Sequence, residues 1–151
     1  MGNLKLTSSA FEDGGEIPRE CGYKNGNKIP PLTISGIPEG TKSLALIMDD
    51  PDAMEPAGKV WVHWIAWNIE GSTIDLKKCY QGMTDFGEVG YGGPAPPDKR
   101  HTYVFKAYAL DCAIHDVIKG MDENDWSKPA VEKAMEGHII EQASLTGTYA
   151  P

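Results

Sequence analysis

No run of about 18 apolar residues occurs in the 151-residue chain, which removes a membrane-spanning helix of ordinary length. The opening residues, Met1-Gly2-Asn3-Leu4-Lys5, lack the charged and apolar regions of a signal peptide, so a cytoplasmic location is expected. Cysteine is scarce. Cys21, Cys79 and Cys112 are an odd number, widely spaced, with no C-x-x-C pair to mark a redox or zinc motif. Buried or half-buried free thiols are the expectation, with a single disulfide left open. Positive charge is also in short supply: 14 Lys+Arg stand against 22 Asp+Glu, for a net charge of -8. That balance argues against nonspecific attraction to nucleic acid or to an anionic membrane surface, so any anionic ligand must be caught by a local site. Familiar catalytic signatures are missing as well: there is no G-x-S-x-G elbow, no P-loop and no H-E-x-x-H. An enzyme is therefore not the expectation, and no cofactor is implied.

What is present has the size of one ordinary domain, taken as residues 1–151. Turn formers recur at Asp13-Gly14-Gly15, Asn25-Gly26-Asn27, Ile37-Pro38-Glu39-Gly40 and Glu70-Gly71, with short β-rich runs between them, which predicts a mainly β fold. Ser43 to Met48 is a compact apolar run, and Val60 to Ile69 is apolar on both alternating faces, as in strands covered on both sides. From His101 to Leu110 the period of two places His101, Tyr103, Phe105, Ala107 and Ala109 on one face. The same rule groups His63 with Trp61, Ile65 and Trp67. Helical spacing appears late, in Val131, Ala134, Met135, His138, Ile139 and Gln142, after Ser127 as N-cap and Pro129 in the first turn. A second, shorter helix is predicted around Ala113 to Met121, ending near Gly120.

Three segments stand out chemically. Asp49-Asp50-Pro51-Asp52-Ala53 places three carboxylates directly after an apolar strand, where they repel and need solvent, cations or donors. A solvated turn is the bland reading of that run taken alone. His63 lies in an apolar strand, where a buried imidazole must find a hydrogen-bond partner, and a satisfied core histidine is the simpler explanation. Gly90-Tyr91-Gly92-Gly93-Pro94-Ala95-Pro96-Pro97 leads into the strand carrying His101 and Tyr103. Its glycines allow close backbone approach and can present N–H groups to an anion, although a rigid connection accounts for it equally. Set on one sheet, the three segments offer carboxylate, imidazole, phenol and backbone donors at strand ends or loop mouths, the makings of a pocket.

Those stretches resemble the phosphatidylethanolamine-binding (Raf-kinase-inhibitor-like) protein family in its shorter bacterial and archaeal form. The resemblance runs through Leu4 to Gly15, Ser43 to Ala53, Val62 to Asn68, Gln81 to Pro97, His101 to Asp111 and Lys133 to Tyr149, nearly the whole chain. It implies a β-sandwich core of Greek-key antiparallel sheets with one or two peripheral helices, including a C-terminal one. It also implies an anion pocket at Asp50, Asp52, His63, the Gly92-Gly93-Pro94 loop, His101 and Tyr103, with Trp61 as an aromatic wall. Departures fall on the rim. Met54 stands where the family often has proline, Thr102 replaces a basic residue, and the stretch from Asn27 to Ile34 is short, without the serine before Pro30-Pro31 or the tryptophan after Leu32.

The expected function is therefore non-enzymatic binding of a phosphate-type anion or a phosphorylated small molecule, of the phosphoethanolamine kind. His63 and His101 are expected to be the donors, oriented by carboxylates, so that affinity rises from neutral pH toward about 6. Inhibition of a kinase or serine protease is a second reading that the resemblance implies for some members. A metal-dependent enzyme using two histidines and a carboxylate is a weaker third. Stable membrane attachment is not expected, because the acidic chain has no basic amphipathic helix and no lipidation signal. A homodimer is a reasonable expectation from bacterial relatives. His115, on an exposed short helix, and His138, in an apolar helical stripe, are set aside, and Glu132, Lys133 and Glu136 read as a solvated helix face.

Overall fold

The computed structural model describes residues 3–122 and 126–151. Among these, the chain forms strands β1 (Lys5–Thr7), β2 (Gly15–Glu16), β3 (Thr33–Ser35), β4 (Ser43–Asp50), β5 (Trp61–Ile69), β6 (Tyr80–Gln81), β7 (His101–Leu110) and β8 (Ile139–Tyr149). Three short helices join them: α1 (Met54–Ala57), α2 (His115–Ile118) and α3 (Lys128–Met135). β1 and β3 make a small antiparallel sheet, and the other strands form one sheet in the order β2-β8-β7-β4-β5-β6.

Every residue of β4 is buried, because the large sheet is covered on both faces. On one face Leu44, Leu46, Met48, Phe105 and Leu145 pack against Leu6 and Ile34 of the small sheet, giving the sandwich. On the other, Ala45, Ile47, Ile65 and Trp67 meet Ile114, Ile118, Val131 and Met135 from α2 and α3. The mainly β sandwich with peripheral helices is thus as the sequence predicts. One pairing differs: β2 runs parallel to β8, with Gly15 opposite Gly147, so the large sheet is not wholly antiparallel. The three cysteines are free thiols, Cys21 buried and the others half-buried. No helix among the described residues is long and apolar enough to cross a membrane.

Two expectations need correction. The helix that starts after Ser127 stops at Met135, and His138, Ile139 and Gln142 fall outside it, the last two within β8. Gly137 takes a left-handed φ of 81°, a common way to end a helix, and the chain then pairs with β7 along its length. The signal was present in Leu145, Gly147 and Tyr149, which alternate as buried residues. Ser127 occupies the N-cap position without a side-chain capping bond. His138 consequently sits in no helical stripe; its Nδ1 lies 2.7 Å from Asp111 Oδ1.

The second correction concerns β5. Asp49 pairs with Val62 and Met48 with Trp64, which leaves His63 as an extra residue, a β-bulge. The period of two is reset there, so Ile65 and Trp67 face α2 and α3 while His63 remains with Trp61 on the opposite side.

Candidate functional site

The carboxylate run that closes β4 is resolved by geometry. Asp49 faces the helices, where its Oδ2 meets Lys128 Nζ at 2.8 Å and Lys106 Nζ at 3.9 Å. Asp50 faces the other way, and its Oδ1 accepts the Asp52 N–H at 2.9 Å as the cap of a 3-10 turn over Pro51–Ala53. Asp52 is exposed and reaches sideways, accepting the Thr102 N–H at 2.8 Å. Successive strand side chains point to opposite faces, and this separates charges that the sequence places side by side.

On β7, His101 is buried, with Nδ1 2.6 Å from Asp50 Oδ2 and Nε2 2.7 Å from Asp98 Oδ1. Carboxylates only accept, so both ring nitrogens donate and the ring is an imidazolium. Burial works to lower its pKa, but the hydrogen bonds and charges of Asp50 and Asp98 outweigh that and hold it above the ordinary histidine value. Asp50 is pushed up by burial, which the bonds from His101 and the Asp52 N–H offset only in part. With two carboxylates around one ring, the proton resides on His101.

His63 is in the opposite state. Its Nδ1 lies 2.7 Å from the Gly92 carbonyl oxygen and 3.1 Å from that of Gly93, so Nδ1 carries the proton and Nε2 keeps its lone pair. Burial depresses its pKa to about 4 against the pull of those carbonyls. The expectation that both imidazoles are carboxylate-oriented donors titrating together near 6 is therefore corrected: His101 alone is held by carboxylates, and the two titrate on either side of that window.

The glycine loop is corrected too. Its N–H groups are already engaged, Gly92 with the His63 carbonyl at 2.8 Å and Gly93 with Asn27 Oδ1 at 2.7 Å. Glycine is required here for close packing: a Cβ on Gly92 would enter the Phe86 ring, and one on Gly93 would strike the Cys21 carbonyl. Pro94 accepts the Tyr23 N–H through its carbonyl.

Asp50, Trp61, His63 and His101 line one cavity of about 180 Å³, together with Phe86 and the aliphatic surfaces of Ala53, Pro56 and Pro97. Asp52, Gly92, Gly93 and Pro94 lie outside its lining and support it. Tyr103 lies behind the two imidazoles, fully buried, its ring 5.1 Å from that of His63 and 6.3 Å from that of His101. Its hydroxyl has no hydrogen-bond partner, and burial, with the nearby charge of Asp50, raises the phenol pKa strongly. Thr102 projects away from the cavity face, and Met54 is exposed beside it, so neither departure enters the lining.

Two members of the site are not singled out from sequence. Phe86 stacks on Tyr23 at 4.1 Å and meets the edges of Trp61 and His63. It is aimed by Asp85, whose carboxylate accepts the Val62 N–H and the Lys59 ammonium, both at 2.7 Å. Asp98 is the other. An aspartate after two prolines reads as a turn, and nothing local announces that it reaches a histidine three residues on.

The chain matches the family model described as phosphatidylethanolamine-binding protein over residues 7–150. It is 40% identical over 161 residues to a UPF0098 protein of Archaeoglobus fulgidus, covering 99% of this chain and 52% of that relative, so it spans about half that protein's length. Among solved structures, the phosphatidylethanolamine-binding protein homologue CT736 of Chlamydia trachomatis superposes with a TM-score of 0.83 at 38% identity, covering 97% of this chain and 96% of the other. YbcL of E. coli, described as a member of the mammalian PEBP family, gives 0.82 at 32% identity, with 98% of each chain covered.

Proposed function

The chain belongs to the phosphatidylethanolamine-binding protein family, a family of binding proteins, and from that premise we propose that it holds a phosphate-type anion or phosphorylated small molecule between His101 and His63 and performs no chemistry on it. The observation that carries this reading is Asp98. Its carboxylate, whose side chain is 38% exposed, sits on His101 Nε2, so the imidazolium already holds an oxyanion. A phosphate oxygen takes that place when Asp98 swings out into water. Asp50 keeps the ring charged and oriented from the other side, and the lone pair on His63 Nε2 accepts a phosphate O–H. The cavity has the volume of about six waters, which suits a headgroup and excludes acyl chains. Its ionisable groups are a clamped imidazolium, a neutral imidazole and carboxylates, a set suited to retention.

Calorimetric titration with inorganic phosphate and phosphoethanolamine tests the reading. His101→Gln is expected to weaken binding at least about tenfold, the loss of one charge-assisted bond. Asp98→Asn is expected to strengthen it several-fold, because the competing carboxylate is gone. Affinity falls as pH rises through the pKa of His101, which its carboxylates hold above the ordinary histidine value. Absence of binding to both the wild type and Asp98→Asn sinks the proposal.

A further inference from the structure

Far along the sheet from the pocket lining, three side chains of different donor chemistry meet where β7 ends and β8 begins. The carboxylate of Asp111, the thiol of Cys112 and the imidazole of His138 have their ligand atoms within 4.8 Å of one another. The backbone holds them there: the Asp111 N–H donates to the His138 carbonyl at 3.0 Å, the Ser43 hydroxyl to the Cys112 carbonyl at 2.6 Å, and the His138 N–H to the Met135 carbonyl at 2.8 Å. The Asp111 and His138 side chains are 52% and 43% exposed, so an ion arriving from water can reach them.

We propose that Asp111, Cys112 and His138 bind one divalent transition-metal ion of borderline softness, of the zinc class, through one oxygen, one sulfur and His138 Nδ1. The donor set selects among cations. Magnesium and calcium need octahedral or larger shells of oxygen, and this cluster offers a single carboxylate. Thiolate and imidazole together favour zinc, cobalt or copper. Tetrahedral ligands at metal distances of about 2.0–2.3 Å stand roughly 3.5 Å apart, so the thiol draws in while Asp111 Oδ1 and His138 Nδ1, now 2.7 Å apart, open by less than about 1 Å, movements that rotation of half-exposed side chains supplies. The fourth position falls to water. Binding takes the proton from the Cys112 thiol and moves the His138 Nδ1 proton, now shared with Asp111 Oδ1 at 2.7 Å, to Nε2; one proton is released. The ion would tie the two residues just after β7 to the turn just after α3, stapling both ends of the segment that packs α2 and α3 on the sheet.

Cobalt(II) serves as the spectroscopic probe on the metal-free 151-residue protein. The expected result is one equivalent of tetrahedral cobalt with a thiolate-to-metal charge-transfer band, which stoichiometric zinc erases. Cys112→Ser should abolish the charge-transfer band, and His138→Gln and Asp111→Asn should each weaken binding at least about tenfold. Cys79→Ser should change nothing. Thermal unfolding of each metal-free variant verifies that it is folded, and zinc should raise the wild-type midpoint by several degrees while leaving that of Cys112→Ser in place. Lack of a charge-transfer band in the wild type, or a band that survives in folded Cys112→Ser, overturns the proposal.

Discussion

At the scale of single residues, the pocket contains two buried histidines in opposite protonation states, and the difference lies in what surrounds each ring. Carboxylates face both nitrogens of His101, whereas His63 is deeply buried with backbone carbonyls at Nδ1. The consequence for stability follows from linkage. Folded His63 refuses a proton down to about pH 4, whereas the unfolded side chain takes one near its ordinary value of 6.5. Stability therefore falls as pH drops through that interval, by about 1.4 kcal/mol per pH unit and on the order of 3 kcal/mol in all. Urea unfolding from about pH 7 to about pH 4 should show this slope, and His63→Gln should flatten it; an equal slope in the variant would place the acid sensitivity elsewhere. Sequence reading singles out Asp50 after an apolar run, His63 within one and His101 beyond the glycine-proline loop, and the family resemblance adds Trp61. It passes over Phe86 and Asp98, whose roles depend on what stands across the gap.

At the scale of elements, strand content and the extents of β5 and β7 are legible in the hydrophobic pattern, and the breaks in that pattern are not. The bulge at His63 inserts one residue without altering composition, yet it decides which side of the sheet the β5 side chains from Trp64 to Trp67 meet, until a second irregularity before Ile69 shifts the register again. The Gly92-Gly93 turn is legible as a glycine loop, while its purpose is steric: it brings the chain against Phe86 and the Cys21 carbonyl and turns two carbonyls onto His63. Gly93→Ala should accordingly cost roughly 2–3 kcal/mol, since a backbone carbonyl stands where the methyl would go and cannot move cheaply. Gly120→Ala, whose methyl meets nothing within 4 Å, should stay within about 0.5 kcal/mol of wild type. Thermal unfolding of the pair decides it, and equal midpoints would show that the loop yields.

At the scale of the whole molecule, a net charge of -8 surrounds a pocket whose one fixed cation, His101, is flanked by two carboxylates. Long-range attraction to an anionic surface is therefore weak, and the phosphate binding proposed above would act only on contact. The protein should remain in the supernatant with phosphatidylserine vesicles at physiological salt, and co-sedimentation that weakens with added salt would contradict this. Composition and periodicity by themselves determined the absence of a long apolar helix, the mainly β architecture and the central strands, while a resemblance carried by motifs, not by periodicity, supplied the candidate pocket residues. These are properties of local pattern, and local pattern is what a sequence displays. Only the tertiary structure decided where α3 ends, which way the glycine loop's N–H groups turn, which histidine is charged, and that Asp98 rests on it. Each depends on groups distant in the chain meeting at about 3 Å, where one residue of register or one rotated peptide exchanges a donor for an acceptor.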